Sequence, residues 1–178
     1  MSLKIIKTGI LDTIQDAGRN GYRHLGINPS GAMDHFSAQL SNALLGKNIG
    51  SPVIEMHFPA AAFLFQKTTI ACVSGADFSA TVNDQPVPLH QPFLVPENGL
   101  LQFNGLISGA HGYLPLLHHL QVDEWLQSAN TNLKAVAGGW KGRQFIKDDC
   151  LPFKEDIHVR TPPTREHVAI CPGELLPK

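Results

Sequence analysis

The chain has 178 residues and carries 14 Lys and Arg against 15 Asp and Glu, which gives a formal net charge of -1. This length fits one medium-sized domain whose core is large enough to fold without a disulfide or a metal. Because phosphate contacts need an excess of Lys and Arg, the near-neutral charge argues against general nucleic-acid binding.

Cys72, Cys150 and Cys171 stand far apart, and no CxxC pair occurs. An odd number of separated cysteines favours reduced thiols in a cytoplasmic protein. The N-terminus becomes polar by Thr8, so it has no apolar core of a signal peptide. The apolar stretches are interrupted well before the ~20 residues that a membrane span needs.

Residues 4–11 are predicted to form the first strand, and the following segment, 12–33, has little periodicity. Four glycines and one proline interrupt this segment: Gly18, Gly21, Gly26, Pro29 and Gly31. A loop of this length is uncommon in a compact domain and usually has a function.

Residues 34–45 give the clearest helix prediction, with Asp34 as the N-cap and Gly46 just beyond the end. Phe36, Leu40 and Leu44 recur at intervals of four residues, with Ala43 beside them. This spacing predicts one apolar face turned towards the core.

After Pro52 the pattern predicts short strands, with a hairpin turn at Asn83-Asp84-Gln85. Strands are predicted at 53–58, 62–65, 68–74, 78–82, 86–89, 93–96, 99–103, 111–117, 145–152 (with a tight turn at Asp148-Asp149) and 168–171. The spacing favours an all-β barrel or sandwich. Residues 123–129 allow a short second helix, with Val122, Trp125 and Leu126 turned inward. Residues 161–164 (TPPT) are predicted to be an extended linker.

The loop before the helix contains six polar side chains that could bind a substrate or transfer a proton: Gln15, Asp16, Arg19, Arg23, His24 and Ser30. Arginine can bind a carboxylate through two parallel hydrogen bonds, and Asp16 or His24 could act as a general acid or base. Structural alternatives stand beside these roles. Asp16 and Arg19 could simply pair with each other, and Asp34 could serve only as a cap. The carboxylate of Glu55, on an apolar strand, is either functional or paired with a loop arginine.

Other sites are not expected. His118 and His119 are adjacent, so on a strand they would point to opposite faces, and no HExxH occurs, so no metal is predicted. No GxSxG or GxxxxGK[ST] is present. We therefore expect no cofactor bound by this chain, and an ATP site would lie elsewhere.

The motif GILDTIQDAGR at residues 9–19 resembles the opening T-x-Q-D-x-G-R of the allophanate hydrolase subunit 2 family. This family is also known as biotin-dependent carboxyltransferase, Kip antagonist or the C component of 5-oxoprolinase. Similarity continues through PSGAMD at 29–34, Glu55, SGADF at 74–78 and the pairs Gly142-Arg143 and Asp149-Cys150. The resemblance covers nearly the whole chain, but family members are roughly twice as long.

The resemblance implies a mainly β, cyclophilin-like barrel over residues 1–160. Residues 161–178 would then form a linker and the first strand of a second half. It implies a subunit-1-like partner (of the Kip inhibitor type or the B component of 5-oxoprolinase), with a lactam-utilisation subunit as a further candidate, and ATP or biotin bound through partners. The catalytic residues would be Asp16, Arg19 and His24. The substrate-binding residues would be Gln15, Tyr22, Ser30, Gly31, Met33, Asp34 and Glu55.

Two segments depart from the family pattern. Residues 117–119 (LHH) replace a small A-G-G turn, and residues 127–131 (QSANT) replace a G-S-R-S/T element, so Ala129 or Asn130 stands where the family has arginine. The first hypothesis is a subunit of an enzyme that hydrolyses 5-oxoproline with ATP or transfers carboxyl groups from carboxybiotin, expected to be inactive alone. The second is a non-catalytic regulatory module that docks on the subunit-1-like partner.

Overall fold

A computed structural model describes residues 2–154. The predicted linker at 161–164, the predicted strand at 168–171, the proposed start of a second half and Cys171 lie outside the described residues. The division of the chain at residue 160 therefore stays a prediction.

Twelve short strands and one α-helix make up the regular structure. In chain order the strands are β1 (Ser2–Lys7), β2 (Thr13–Gln15), β3 (Val53–His57), β4 (Ala62–Phe65), β5 (Thr69–Cys72), β6 (Ser74–Asp77), β7 (Ala80–Val82), β8 (Gln85–Pro86), β9 (Pro92–Val95), β10 (Gly99–Phe103), β11 (Ser108–Leu114) and β12 (Cys150–Pro152). The helix α1 spans His35–Leu44, and a 3-10 helix spans Arg23–Leu25.

The strands form three antiparallel sheets. The largest has the order β12-β1-β4-β10-β7-β8, a second has the order β2-β3-β11-β6, and β5 pairs with β9 alone. The predicted mainly β class with one clear helix is confirmed. These sheets do not close into a barrel within residues 2–154, so the cyclophilin-like barrel is not confirmed.

Aromatic side chains fill the main core. Phe63, Phe78 and Phe145 are almost fully buried, and Phe63 meets Phe145 edge to face with ring centroids 6.5 Å apart. Phe78 meets Phe103 in the same way at 6.3 Å. Edge-to-face contacts of this kind add to the free energy gained by burying the rings. The same core contains Ile14 and Ile54, so it directly supports β2 and β3.

The predicted helix at 34–45 is confirmed, because α1 begins after Asp34, whose carboxylate accepts the Ser37 N–H at 3.1 Å. The predicted inner face is only partly confirmed, because Leu40 and Leu44 are half-buried and Leu44 packs against a core cluster, but the other two residues lie outside. Phe36 is 74% exposed and Ala43 is exposed, whereas the small and polar face is buried: Ser37, Ala38, Ser41 and Asn42. Small residues allow close packing on the sheet, and Ser74 of β6 donates its hydroxyl to the Ser37 carbonyl.

The short second helix allowed at 123–129 is wrong. Leu126 and Gln127 have positive φ angles of 52° and 59°, a backbone conformation that a right-handed helix excludes. Trp125 and Ser128 instead pair across these two residues as a narrow hairpin. The side chains of Val122, Trp125 and Leu126 are only half-buried.

Several strand predictions are confirmed closely, and others shift at their ends. The turn at Asn83-Asp84 joins β7 to β8, and both residues have positive φ, as a two-residue hairpin turn requires. The predicted strand at 145–152 shortens to β12 because Asp148, with φ 69°, lies in a turn. Among the described residues no helix has the length and apolar character of a membrane span.

Candidate functional site

The loop between β2 and α1 folds back on itself. The Arg19 N–H donates to the Pro29 carbonyl at 2.8 Å, and the Ala32 N–H donates to the Asp16 carbonyl at 3.0 Å. Gly18 and Gly31 meet where the two arms cross. A Cβ on Gly18 would lie 2.6 Å from the Ser30 carbonyl oxygen, and one on Gly31 would lie 2.9 Å from the Gly18 nitrogen. Glycine is therefore required at both positions for the loop to close.

The Asp16 carboxylate attaches the loop to the distant segment 128–130. It accepts the Ala129 N–H at 2.7 Å and the Ser128 hydroxyl at 2.8 Å, together with the Gly18 N–H of its own turn at 2.7 Å. The carboxylate thus accepts hydrogen bonds from three donors, which hold the loop in position. Asp16 contributes to the site chiefly by fixing the loop.

Arg19 makes a second attachment to the same segment. Its side chain is only 1% exposed, its Nη2 donates to the Asn130 carbonyl at 2.8 Å, and its guanidinium lies 4.7 Å from the centre of the Trp125 ring. The buried Nε and Nη1 have no hydrogen-bond partner. Burial lowers the pKa of Arg19, and the nearby Asp16 partly offsets this effect. No ion pair links Asp16 to Arg19 in the described chain, so the alternative of a simple pair that pins the loop is wrong.

Glu55 holds the end of the loop next to α1. Its Oε2 accepts the Met33 N–H at 2.7 Å and the Tyr113 hydroxyl at 2.9 Å, while the Tyr113 oxygen accepts the Asp34 N–H at 2.7 Å. Burial, and to a lesser degree the adjacent Glu55 charge, raises the pKa of Tyr113. Because the donors are a backbone amide and a phenol, the expected pairing of Glu55 with a loop arginine is wrong.

The register of β3 and β11 adds residues that the sequence analysis did not select. Glu55 and His57 alternate on β3, and His111 on β11 lies directly opposite His57. The His57 and His111 rings meet edge to face, with centroids 4.6 Å apart. The alternation of Glu55 and His57 was readable from the sequence, but the pairing with His111 was not, because it depends on strand register.

Asp12 is a buried acidic residue next to His57. It is 1% exposed and accepts the Ala61 N–H at 2.6 Å and the His57 N–H at 3.3 Å. Burial raises the pKa of Asp12 to about 6, although both backbone N–H groups and the nearby His57 act in the opposite direction. A buried carboxylate therefore lies next to His57 at the end of β3.

The remaining predicted site residues lie in different environments. Gln15 is buried and donates to the Thr13 hydroxyl at 2.9 Å. Tyr22 and Ser30 are half-buried, whereas His24, Met33 and Asp34 are exposed. His24 lies on the 3-10 helix, and no hydrogen bond or ion pair joins it to Asp16 or Arg19 within residues 2–154. Of the three predicted catalytic residues, Asp16 and Arg19 attach the loop to segment 128–130, whereas His24 lies on the exposed surface.

A cavity of about 450 Å³ opens elsewhere, beside the end of α1. Its walls include Lys47, His118, His119, Glu124 and Lys154 and none of the predicted site residues. His118 belongs to the segment that departs from the family pattern. It is buried, with its Nδ1 2.7 Å from the Thr69 hydroxyl and its ring against Phe153.

Comparison with known proteins places this architecture in a family. Residues 25–174 match the family described as carboxyltransferase domain, subdomain A and B. The chain belongs to this family.

Members of the carboxyltransferase domain family appear as parts of larger proteins. The chain is 32% identical to urea amidolyase of Lachancea kluyveri over 99% of its own length and 10% of that protein. It is 32% identical to the C component of 5-oxoprolinase from Haemophilus influenzae over 92% of its length and 51% of that protein. The crystal structure of K. lactis urea amidolyase superimposes with a TM-score of 0.83 and 31% identity, covering 86% of this chain and 9% of that one. The chain thus spans about half of the bacterial protein and a tenth of the fungal enzyme.

Within this carboxyltransferase-type domain, the two short motifs near residues 142 and 149 form one unit. Arg143 binds Asp149 through two parallel hydrogen bonds of 2.7 Å, and the Ile146 N–H donates to the same carboxylate at 2.9 Å. Burial alone would raise the pKa of Asp149, but the hydrogen bonds from Arg143 and Ile146 outweigh it and bring the pKa down to about 2. The pair fixes the chain just before β12 joins β1.

The altered 127–131 element of this domain contacts the predicted site directly. Three buried residues of this element form hydrogen bonds with Asp16 or Arg19: Ser128, Ala129 and Asn130. Asn130 also donates its side-chain amide to the Pro29 carbonyl at 3.3 Å. The departure from the family pattern therefore lies at the base of the loop.

Proposed function

We propose that this chain acts as one domain of a larger enzyme whose substrate is a cyclic amide or a urea-like molecule. Two reactions fit the relatives: ATP-dependent cleavage of 5-oxoproline, and carboxyl transfer from carboxybiotin. The 5-oxoprolinase and urea amidolyase relatives support both. The chain alone is expected to be inactive, with ATP or biotin bound by partner subunits, and a cytoplasmic location stays a prediction.

The observation that carries this proposal is that the loop Gln15 to Asp34 is held at both ends. Asp16 and Arg19 attach one end to segment 128–130, and Glu55 with Tyr113 attaches the other. A substrate-lining loop needs this kind of support, because small displacements of positioning groups reduce the rate strongly. The side chains of His24 and Met33 remain exposed and available to a substrate or partner, whereas the exposed Asp34 carboxylate accepts hydrogen bonds from Ser37.

Reconstitution tests the proposal. The chain is co-expressed with a subunit-1-like protein, a second-half domain and a lactam-utilisation subunit, and 5-oxoproline turnover with ATP is measured. A parallel set replaces the lactam-utilisation subunit with a biotin carboxylase and measures bicarbonate-dependent consumption of urea. Turnover is expected in one set only when this chain is present. Background rates in every combination would reject the enzymatic role.

Variants at the loop base connect the activity to the structure. Asp16→Asn replaces one of the two carboxylate oxygens with an NH2 group that cannot accept the Ala129 N–H, so the loop should shift and turnover should fall on the order of a hundredfold. Arg19→Lys should act similarly, because an ammonium group cannot reproduce the fixed geometry of the guanidinium. Asp84→Asn is the control: it lies exposed in the β7–β8 turn and should leave turnover unchanged.

The alternative function is a regulatory module that docks on the subunit-1-like partner without chemistry. Two features favour it: Ala129 or Asn130 stands where the resemblance leads us to expect arginine, and the apolar side chains of Met33 and Phe36 are 72% and 74% exposed beside the loop. A pull-down against the partner tests binding, and Phe36→Ser should weaken it. If Asp16 and Arg19 variants lose turnover but keep binding, catalysis is favoured. If they lose neither, a scaffold role is favoured.

A further inference from the structure

Three side chains with metal-binding atoms lie together on the sheet formed by β2, β3, β11 and β6. Glu55 and His57 share one face of β3, and His111 projects beside His57 from the neighbouring strand. One ligand atom from each residue lies within 4.8 Å of the other two. Atoms that share one tetrahedral zinc ion are roughly 3–3.5 Å apart, so small side-chain rotations would bring all three to a common centre.

The hydrogen bonds around these residues leave metal-binding atoms available. The Nδ1 of His57 lies 2.7 Å from the Leu11 carbonyl, which can only accept, so Nδ1 carries the proton and Nε2 keeps its lone pair. A histidine whose second ring nitrogen donates to a backbone carbonyl is the usual metal-binding arrangement, because that bond fixes the tautomer and the ring orientation.

His111 and Glu55 are prepared in different ways. The Nδ1 of His111 is buried and has no hydrogen-bond partner, an unfavourable state that a metal bond would relieve. Glu55 is 7% exposed and its Oε2 is fixed by the Met33 N–H and the Tyr113 hydroxyl. The carboxylate is therefore held in place before any ion arrives, with an oxygen within 4.8 Å of a ring nitrogen of each histidine.

We propose that Glu55, His57 and His111 bind a divalent transition-metal ion, with Zn²⁺ as the preferred occupant. Two imidazoles and one carboxylate form a ligand set suited to zinc, and three protein ligands leave a fourth position for water or an incoming group. Both histidines are half-buried, so an ion can reach them. Asp12, beneath His57, and Asp34, close enough to His111 to interact electrostatically, supply negative charge around the cation.

This site runs against the sequence-based expectation of no metal, which considered adjacent histidines and short motifs. His57 and His111 are 54 positions apart in the chain, and only the β3–β11 register brings them together. The proposal does not depend on the reaction proposed above, because metal binding can be measured on the chain alone.

The test uses the full chain stripped of metal and titrated with zinc sulfate, with binding followed by calorimetry. One equivalent should bind with a micromolar or lower dissociation constant. Cobalt chloride should give the visible absorption of a tetrahedral or five-coordinate ion. His111→Ala should weaken zinc binding at least tenfold, and His57→Ala should do the same. His111 makes no hydrogen bond through its Nδ1, so its removal should leave the fold intact, as circular dichroism will check.

The matched control is His90→Asn. His90 is exposed, does not belong to the Glu55–His57–His111 group, and has a positive φ of 57° that asparagine tolerates. This variant should bind zinc as the unmodified chain does, and zinc should raise its unfolding temperature equally. The proposal is overturned if the unmodified chain binds no stoichiometric zinc. It is equally overturned if folded His111→Ala binds zinc with unchanged affinity.

Discussion

Asp16 and Arg19 lie three residues apart, yet each makes its main contact with a segment more than a hundred positions away in the chain. The sequence identified both as candidates, because they lie in a long polar loop and in the motif at residues 9–19 that resembles the family opening. It could not show whether they pair with each other or bind something distant. Hydrogen bonds between residues so far apart depend on the tertiary fold, which local spacing does not encode.

At the same scale, the Arg143–Asp149 pair should contribute measurably to stability. Asp149 is 7% exposed and receives three hydrogen bonds. Arg143→Met would leave this carboxylate buried without its charged partner, so the free energy of unfolding should fall by about 2–3 kcal/mol in urea titration. Lys4→Met breaks the solvent-accessible Lys4–Asp148 ion pair and should cost much less, because solvent screens that pair. Equal losses in the two variants would contradict this explanation.

The depressed pKa of Asp149 has a consequence for acid stability. Its pKa is about 2 in the folded chain and 3.8 in the reference state, so the ionised form stabilises the fold above pH 4. This contribution is lost as the pH falls from about 4 to 2, because the unfolded chain then takes up the proton first. Urea titrations at several pH values should show the stability difference between the unmodified chain and Asp149→Asn shrinking over that interval. A constant difference would argue against it.

Sequence patterns predicted the secondary-structure elements that depend on nearby residues in the chain. Helix α1 follows from the Asp34 cap, and the β7–β8 turn follows from Asn83-Asp84. The second helix failed because the left-handed backbone of Leu126 and Gln127 has no clear sequence signal in residues other than glycine. The inner face of α1 was predicted only in part, since Leu44 packs on the core, but the helix packs mainly through serine and alanine and leaves Phe36 outward.

The glycines of the long loop offer a direct comparison of crowding with backbone strain. Gly18 and Gly21 both have positive φ, 87° and 91°, but only Gly18 has atoms close to the position of an added Cβ. Gly21→Ala should cost about 1 kcal/mol from backbone conformation alone. Gly18→Ala should cost at least about 2 kcal/mol, because the Ser30 carbonyl must also move. Chemical denaturation of the two variants measures the difference, and equal costs would rule out the close approach.

At the scale of the whole molecule, the sequence predicted a mainly β fold and most strand positions, because alternating apolar residues and turn residues are local features. The arrangement into three sheets was not predictable, since strand order and register depend on long-range pairing. The candidate site shows the same division. Its loop and the 127–131 element were identified in advance, whereas the contact between them and the supporting residues Tyr113, His57 and His111 were not.

Two phenylalanines distinguish the core of the molecule from its outer surface. Phe63 is fully buried in the main core, and Phe63→Ala should reduce the free energy of unfolding by about 3–5 kcal/mol. Phe36 is 74% exposed, so Phe36→Ser should change stability by no more than about 0.5 kcal/mol. Thermal unfolding of both variants provides the measurement. A large loss in Phe36→Ser would mean that this side chain packs within the domain and is not available to a partner.

Gly18 and Gly31 allow the long loop to close, whereas side chains between them form its exposed surface. Both arms meet through backbone atoms, while the residues between them, 20–28, form the outer part of the loop. A combinatorial library that keeps the two glycines, Asp16 and Arg19 but randomises residues 22–25 should therefore yield many folded members. The carboxyltransferase-type domain would then be a scaffold whose recognition surface can be changed by directed evolution without redesigning its architecture.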